Sequence, residues 1–226
     1  MTVAEADPRY REAVVDLLAV LAYGEISAFQ RLASDSALAP TVADAAALAE
    51  MASAEFRHFT RLRDRLVELG ADPQEAIAPF AGAIDGFHQH TAPSDWLEGL
   101  VKAYVGDGIA TDFYREIAAF LEPVDKALVI EVCEDLGQSA FVVETVRAAI
   151  AADPSVGGRL ALWGRRLVGE ALSQAQRVAA ERDALAEFLI SGNSAAADMD
   201  LMEIGRMFSR MTANHTRRMQ SLGLQA

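Results

Sequence analysis

One cysteine, Cys133, and four histidines are all the thiol and imidazole that this 226-residue chain carries. A single thiol builds neither an intrachain disulfide nor a Cys-x-x-Cys redox or zinc motif, so a disulfide scaffold and a thiolate zinc fold are excluded. Cys133 is instead expected as a small buried apolar side chain in a reducing compartment. Positive charge is also scarce: 20 Lys and Arg stand against 33 Asp and Glu, for a net −13. Binding to a phosphate backbone is driven by cationic side chains and counterion release, so nucleic acid is disfavoured as a direct partner. The local groups Arg57, Arg61, Arg63, Arg65 and Arg165-Arg166 read as solvated helix faces. Every apolar run is broken by charge well short of the roughly 20 residues a membrane span needs. Met1 to Asp7 has acids where a secretory leader has basic residues, so a cytoplasmic protein with no membrane partner is expected. No segment alternates with period two, which leaves no amphipathic strand.

What the chain does have is apolar residues, 52% of the total, enough to bury a sizeable core. Helix punctuation divides them. Asp7-Pro8 is an N-cap followed by proline at the first helical position, and predicts a helix over about 8–34. After Pro40 a second pattern covers 41–69, closed by Gly70, and Asp72-Pro73 opens a shorter helix. The segment from Pro79 to Pro93, with Gly82, Gly86, His88 and His90, reads as an irregular crossover. Ser94 is expected to cap a helix over 94–121, and Pro123 to start one over 123–152. Further helices follow at 155–190 and 198–222, separated by Gly192-Asn193-Ser194. The expectation is an all-α chain forming one domain over 1–226, with a core bundle at about 8–152 and C-terminal helices at about 155–222.

Four acids interrupt the apolar stripes of the long helices. Two turns either side of Glu25 are Leu18 and Leu32; of Glu55, Leu48 and Leu62; of Asp107, Leu100 and Tyr114; of Asp135, Leu128 and Val142. Carboxylates turned towards a core need compensation, and divalent cations supply it. A four-helix bundle holds two such ions with one acid from each of two helices and a Glu-x-x-His from each of the others. Glu55-Phe56-Arg57-His58 is one such pair. The matching position reads Asp135-Leu136-Gly137-Gln138, with no histidine. Glu131 and Glu134 are then candidate oxygen ligands, which would favour a harder ion such as manganese or leave that half weakly filled. The other reading of Asp135 and Gln138 is a hydrogen-bonded polar pair. Tyr23-Gly24-Glu25 also echoes Val105-Gly106-Asp107, a glycine preceding the acid in both.

On Glu25, Glu55-x-x-His58, Asp107 and Asp135-x-x-Gln138 the chain resembles the ferritin-like superfamily. On Lys102-Ala-Tyr-Val-Gly-Asp-Gly-Ile-Ala, Phe113-Tyr-Arg-Glu and the closing His215-Thr-Arg-Arg-Met-Gln-Ser-Leu-Gly-Leu it looks like the actinobacterial relatives of the tRNA hydroxylase MiaE. The resemblance implies a ferritin-like four-helix bundle with additional C-terminal helices, a carboxylate-bridged pair of irons, and O₂-dependent hydroxylation. It also implies ligand roles for Glu25, Glu55, His58, Asp107 and Asp135, with Gln138 departing from the pattern. The expected function is a non-haem di-iron oxidoreductase of hydroxylase type on an unidentified substrate. With Gln138 in place of a second histidine, one ion, manganese or no metal are the alternatives. The competing function is a non-catalytic bundle with a degenerate metal site, acting as an interaction or assembly module. A small molecule or a protein fits the acidic surface better than tRNA as a partner, and a homodimer is among the candidates.

Other residues have blander expectations. His88 and His90 are read as solvated and His215 as a core histidine covering one end of the bundle. Met199, Met202, Met207, Met211 and Met219 form an adaptable packing surface, and Glu170 and Gln174 an exposed face. Tyr104 and Tyr114 flank Asp107 at near-helical spacing, where each either packs or hydrogen-bonds a ligand carboxylate.

Overall fold

The computed structural model describes residues 8–134, 138–181 and 201–225, all of it helices, turns and short connections. In chain order the helices are α1 (Pro8–Asp35), α2 (Val42–Glu68), α3 (Pro73–Ile77), α4 (Ala81–His90), α5 (Trp96–Ala118), α6 (Pro123–Val132), α7 (Gln138–Ala152), α8 (Ser155–Glu181) and α9 (Leu201–Ser221). The described residues form an all-α bundle with further helices packed on it. The break expected at Gly192-Asn193-Ser194 lies outside the described residues.

The local chemistry explains most boundaries. The Thr41 hydroxyl accepts from the Asp44 amide at 3.1 Å to cap α2. Gly70, at φ +74°, lets that helix end in a left-handed turn. There the Gly70 and Ala71 amides bond the Val67 and Leu66 carbonyls. Asp72 caps α3 through the Gln74 and Glu75 amides, with Pro73 at the first helical position. The cap of α5 is Asp95 and not Ser94, as its side chain accepts from the Glu98 amide at 2.9 Å. Ser94 instead donates its amide and hydroxyl to Glu98 Oε2, which ties the residue before the cap onto the first turn.

Two expectations are corrected. The segment read as an irregular crossover holds helix α4, because its glycines serve packing. A Cβ at Gly86 would lie 3.2 Å from Gln174 Nε2, so glycine lets α4 run close against the antiparallel α8. The helix expected over 123–152 is not continuous. α6 stops at Val132, where the Cys133 and Glu134 amides close its last turn on Val129 and Glu131. The Cys133 carbonyl, freed from helix, accepts from Arg115 Nη2. Proline-free periodicity gave no warning of this stop, since the partner that takes the carbonyl is on another helix.

Two apolar clusters make the core. The first joins Leu17, Leu18 and Leu21 of α1 to Leu62 and Leu66 of α2, Ile117 of α5 and Val129 of α6. The second joins Leu32, Leu48, Leu100 and Val105 to Val142 of α7, Leu160 and Leu167 of α8, and Met219 of α9. Helices α1, α2 and α5 contribute to both, and the stretches between their contributions carry Glu25, Glu55 and Asp107. A polar waist therefore divides the bundle.

Candidate metal centre

At that waist α1 and α2 run antiparallel, which brings residue 25 level with residues 55 and 58. One ligand atom from each of Glu25, Glu55 and His58 lies within 4.8 Å of the other two. The His58 ring Nδ1 is 3.2 Å from Glu25 Oε2, and the two side chains are only 18% and 12% exposed. His58 follows Glu55 by three residues, so one helical face presents both.

Like charges confined this closely resist ionisation. Burial, then the nearby Asp107, raise the Glu25 carboxyl to about 7, although a hydrogen bond from Glu55 works the other way. Burial and the adjoining Glu25 push Glu55 well above the carboxylate range. Burial lowers His58, which keeps the imidazole neutral with a lone pair to donate. Without a cation, the group holds shared protons where ionised carboxylates would be too costly.

The remaining sequence candidates separate. Asp107 lines the same cavity as the triad from α5 but is more exposed and stands outside the three-residue group. Glu131, expected as an oxygen ligand, turns outward and pairs with Arg61, its side chain 53% exposed. Glu134 lines the cavity from an exposed position just after α6. Asp135 lies outside the described residues, as does the Gln138 side chain, although Gln138 opens α7.

Sequence reasoning missed the cavity. It encloses about 750 Å³, within the range of small-molecule sites, and the triad sits in its wall. Leu17, Val20, Leu21, Leu32, Met51, Phe87 and Phe113 make much of the lining, and Met207, Phe208 and Met211 of α9 close one side. Tyr114 lines it beside Gly24, where a Cβ would be 3.7 Å from the phenol oxygen. Burial, reinforced by Glu25, raises the Tyr114 pKa and so keeps the phenol protonated. The Cys133 thiol, also in the lining, is pushed up to about 12 by burial and remains a neutral thiol. His88 was expected in solvent, yet it belongs to α4 and lines the cavity, its Nδ1 buried without a partner. Gln174 also lines the cavity, and Glu170, only 20% exposed, is bonded to His90 at 2.7 Å. The only sign of this was the helical periodicity of 79–93 that its glycines hid.

A helical bundle with two carboxylates and an imidazole facing an internal cavity defines the class. The chain belongs to the family described as ferritin-like domain, actinomycetes, whose model matches residues 8–192. Among solved structures it is similar to "Protein 19 with aldehyde deformylating oxidase activity from Synechococcus", at 18% identity and a TM-score of 0.69. That alignment covers 100% of this chain and 95% of the other. No curated protein matches the chain.

Proposed function

We propose that the protein is a metal-dependent oxidoreductase of the non-haem, hydroxylase-like type, acting on a small molecule held in the cavity. The observation that carries this reading is the Glu25–Glu55–His58 triad in the wall of a 750 Å³, largely apolar cavity. Oxygen donors with one imidazole suit iron or manganese. The donor set therefore fits a metal. The fold shared with an aldehyde deformylating oxidase is consistent with the reading.

When bound, iron supplies the one-electron and O₂ chemistry that side chains lack. The chain's own residues do the rest. Glu25 and Glu55 would hold the metal as carboxylates, giving up their protons on binding, which would couple metal affinity to pH. Neutral His58 donates a lone pair. Burial keeps Tyr114 a neutral phenol and Cys133 a neutral thiol in the lining beside the triad. Apolar walls exclude bulk water from the reacting carbon. Asp107 and Asp135 are proposed as ligands to a second ion. The acidic surface favours a small molecule over tRNA as substrate.

Metal analysis of anaerobically iron-reconstituted protein tests the proposal. Bound iron with an absorption band that changes on exposure to O₂ is expected, two ions per chain if Asp107 and Asp135 also ligate and one if only the triad does. Protein that takes up no metal, and whose melting temperature ignores a chelator, overturns the proposal in favour of a non-catalytic bundle.

A further inference from the structure

The cavity carries charge that the metal centre does not use. On α5, Lys102 precedes Asp107 by five residues, about 7.5 Å along the helix axis. On the antiparallel α1, Arg31 follows Glu25 by six residues, about 9 Å in the same direction. Both line the cavity. Lys102 is 6% exposed, and its Nζ donates to the Thr91 carbonyl at 2.7 Å and lies 5.5 Å from the centroid of the Phe87 ring. That leaves ammonium protons for another acceptor. Arg31 stands more exposed in the lining. His88 reaches the same region from α4 with Nδ1 unpartnered. Burial and the two cations press His88 to about 3, so it adds no positive charge. Among the described residues Asp35 is the carboxylate that faces these groups, and its side chain lies over Gly99, 3.6 Å from where a Cβ would stand.

Among the described residues, two cations against one carboxylate leave a net positive charge at this end of the cavity, and its buried share is Lys102. Such a charge is costly until an anion arrives. The lining these groups share with the triad is largely apolar, with Ala28, Leu32, Met51, Phe87 and Gly106 in it and Tyr104 between Lys102 and Asp107 on α5. We propose that Lys102 and Arg31, with the His88 ring beside them, form an anion subsite one to two helical turns from the metal centre. The substrate is then an amphipathic acid, its carboxylate on Lys102 and Arg31 and its apolar body laid towards Glu25, Glu55 and His58. The role of that body as the reacting part rests on the function proposed above; the binding itself does not.

Calorimetric titration of the full-length, metal-free protein with decanoate and with decan-1-ol tests it. A charge-assisted contact predicts that decanoate binds at least about tenfold more tightly than the alcohol. Lys102→Gln and Arg31→Gln should each weaken decanoate severalfold or more and leave decanol within about twofold. Equal affinity for acid and alcohol, or decanoate affinity unchanged in the variants, overturns the proposal. If Lys102→Gln does not fold, the more exposed Arg31→Gln carries the same test alone. Zinc titrations of the wild-type protein run in parallel keep the two readings apart. Failure to bind zinc counts against the metal centre and not the subsite, whereas equal affinity for acid and alcohol counts against the subsite and not the metal.

Discussion

Glu25 and Glu55 share a space in which only one readily carries charge, and that has a consequence for pH. Glu25 rises from 4.5 in the unfolded chain to about 7 in the folded one, so between those values the folded protein binds more protons. Its contribution to stability is therefore greatest at low pH and is lost as pH climbs through about 7. His58 works in the opposite sense below its ordinary value of 6.5, since its folded form prefers to be neutral. Metal-free protein should thus be more stable at pH 6.5 than at pH 8, by on the order of 1 kcal/mol from Glu25, in a thermal denaturation series. Glu25→Gln should shrink that difference, leaving the share that burial gives Glu55. A second expectation concerns His58→Ala, which removes the single imidazole of the triad. It should cost about 100-fold or more in metal affinity by competition titration with the secondary structure intact.

At the scale of the helix, close approach decides what is tolerated. Antiparallel α9 lies along α5, tied by Arg210 to Glu116 and by Arg218 Nη2 to Asp112 at 2.6 Å, with Asn214 on the other Asp112 oxygen. Arg218 crosses directly over Gly108, where a Cβ would come within 2.5 Å of its side chain. At Gly106 the nearest atom is 3.9 Å away. Gly108→Ala should therefore dislodge Arg218 and destabilise by about 1–3 kcal/mol in chemical denaturation. Gly106→Ala should instead gain up to about 1 kcal/mol from helix propensity. A similar contrast marks α2 and α6, where Arg65 Nε holds the 1%-exposed Asp125 at 2.7 Å. Arg65→Met should cost roughly 2–4 kcal/mol by stranding that carboxylate. The helix cap at Asp72 and the turn at Gly70 were legible in the sequence because each acts on its own neighbours. The stop at Val132 and the helicity of α4 were not, since both depend on side chains from distant helices, Arg115 in one case and Gln174 in the other. The triad was legible through the Glu55-x-x-His58 spacing. The cavity and the outward turn of Glu131 were hidden, because periodicity reports a face and not what stands opposite it.

For the whole molecule, the waist between the two apolar clusters is where a ligand acts on stability. A metal bound there joins α1 to α2 and favours the folded chain by mass action, about 2.7 kcal/mol at a hundredfold excess over its dissociation constant. The two clusters themselves meet chiefly across carboxylates and cavity. Leu66 of the first and Leu160 of the second are both fully buried. Leu66→Ala and Leu160→Ala should each cost about 2–5 kcal/mol. Their double variant should cost the sum to within about 0.5 kcal/mol, read from denaturant midpoints. Coupling well beyond that would mean one continuous core. Additivity has an evolutionary meaning: each lobe is free to exchange one aliphatic side chain for another without retuning the plane between them. The scaffold can then drift while the centre stays in register, and the centre can change its ligands while the scaffold still folds.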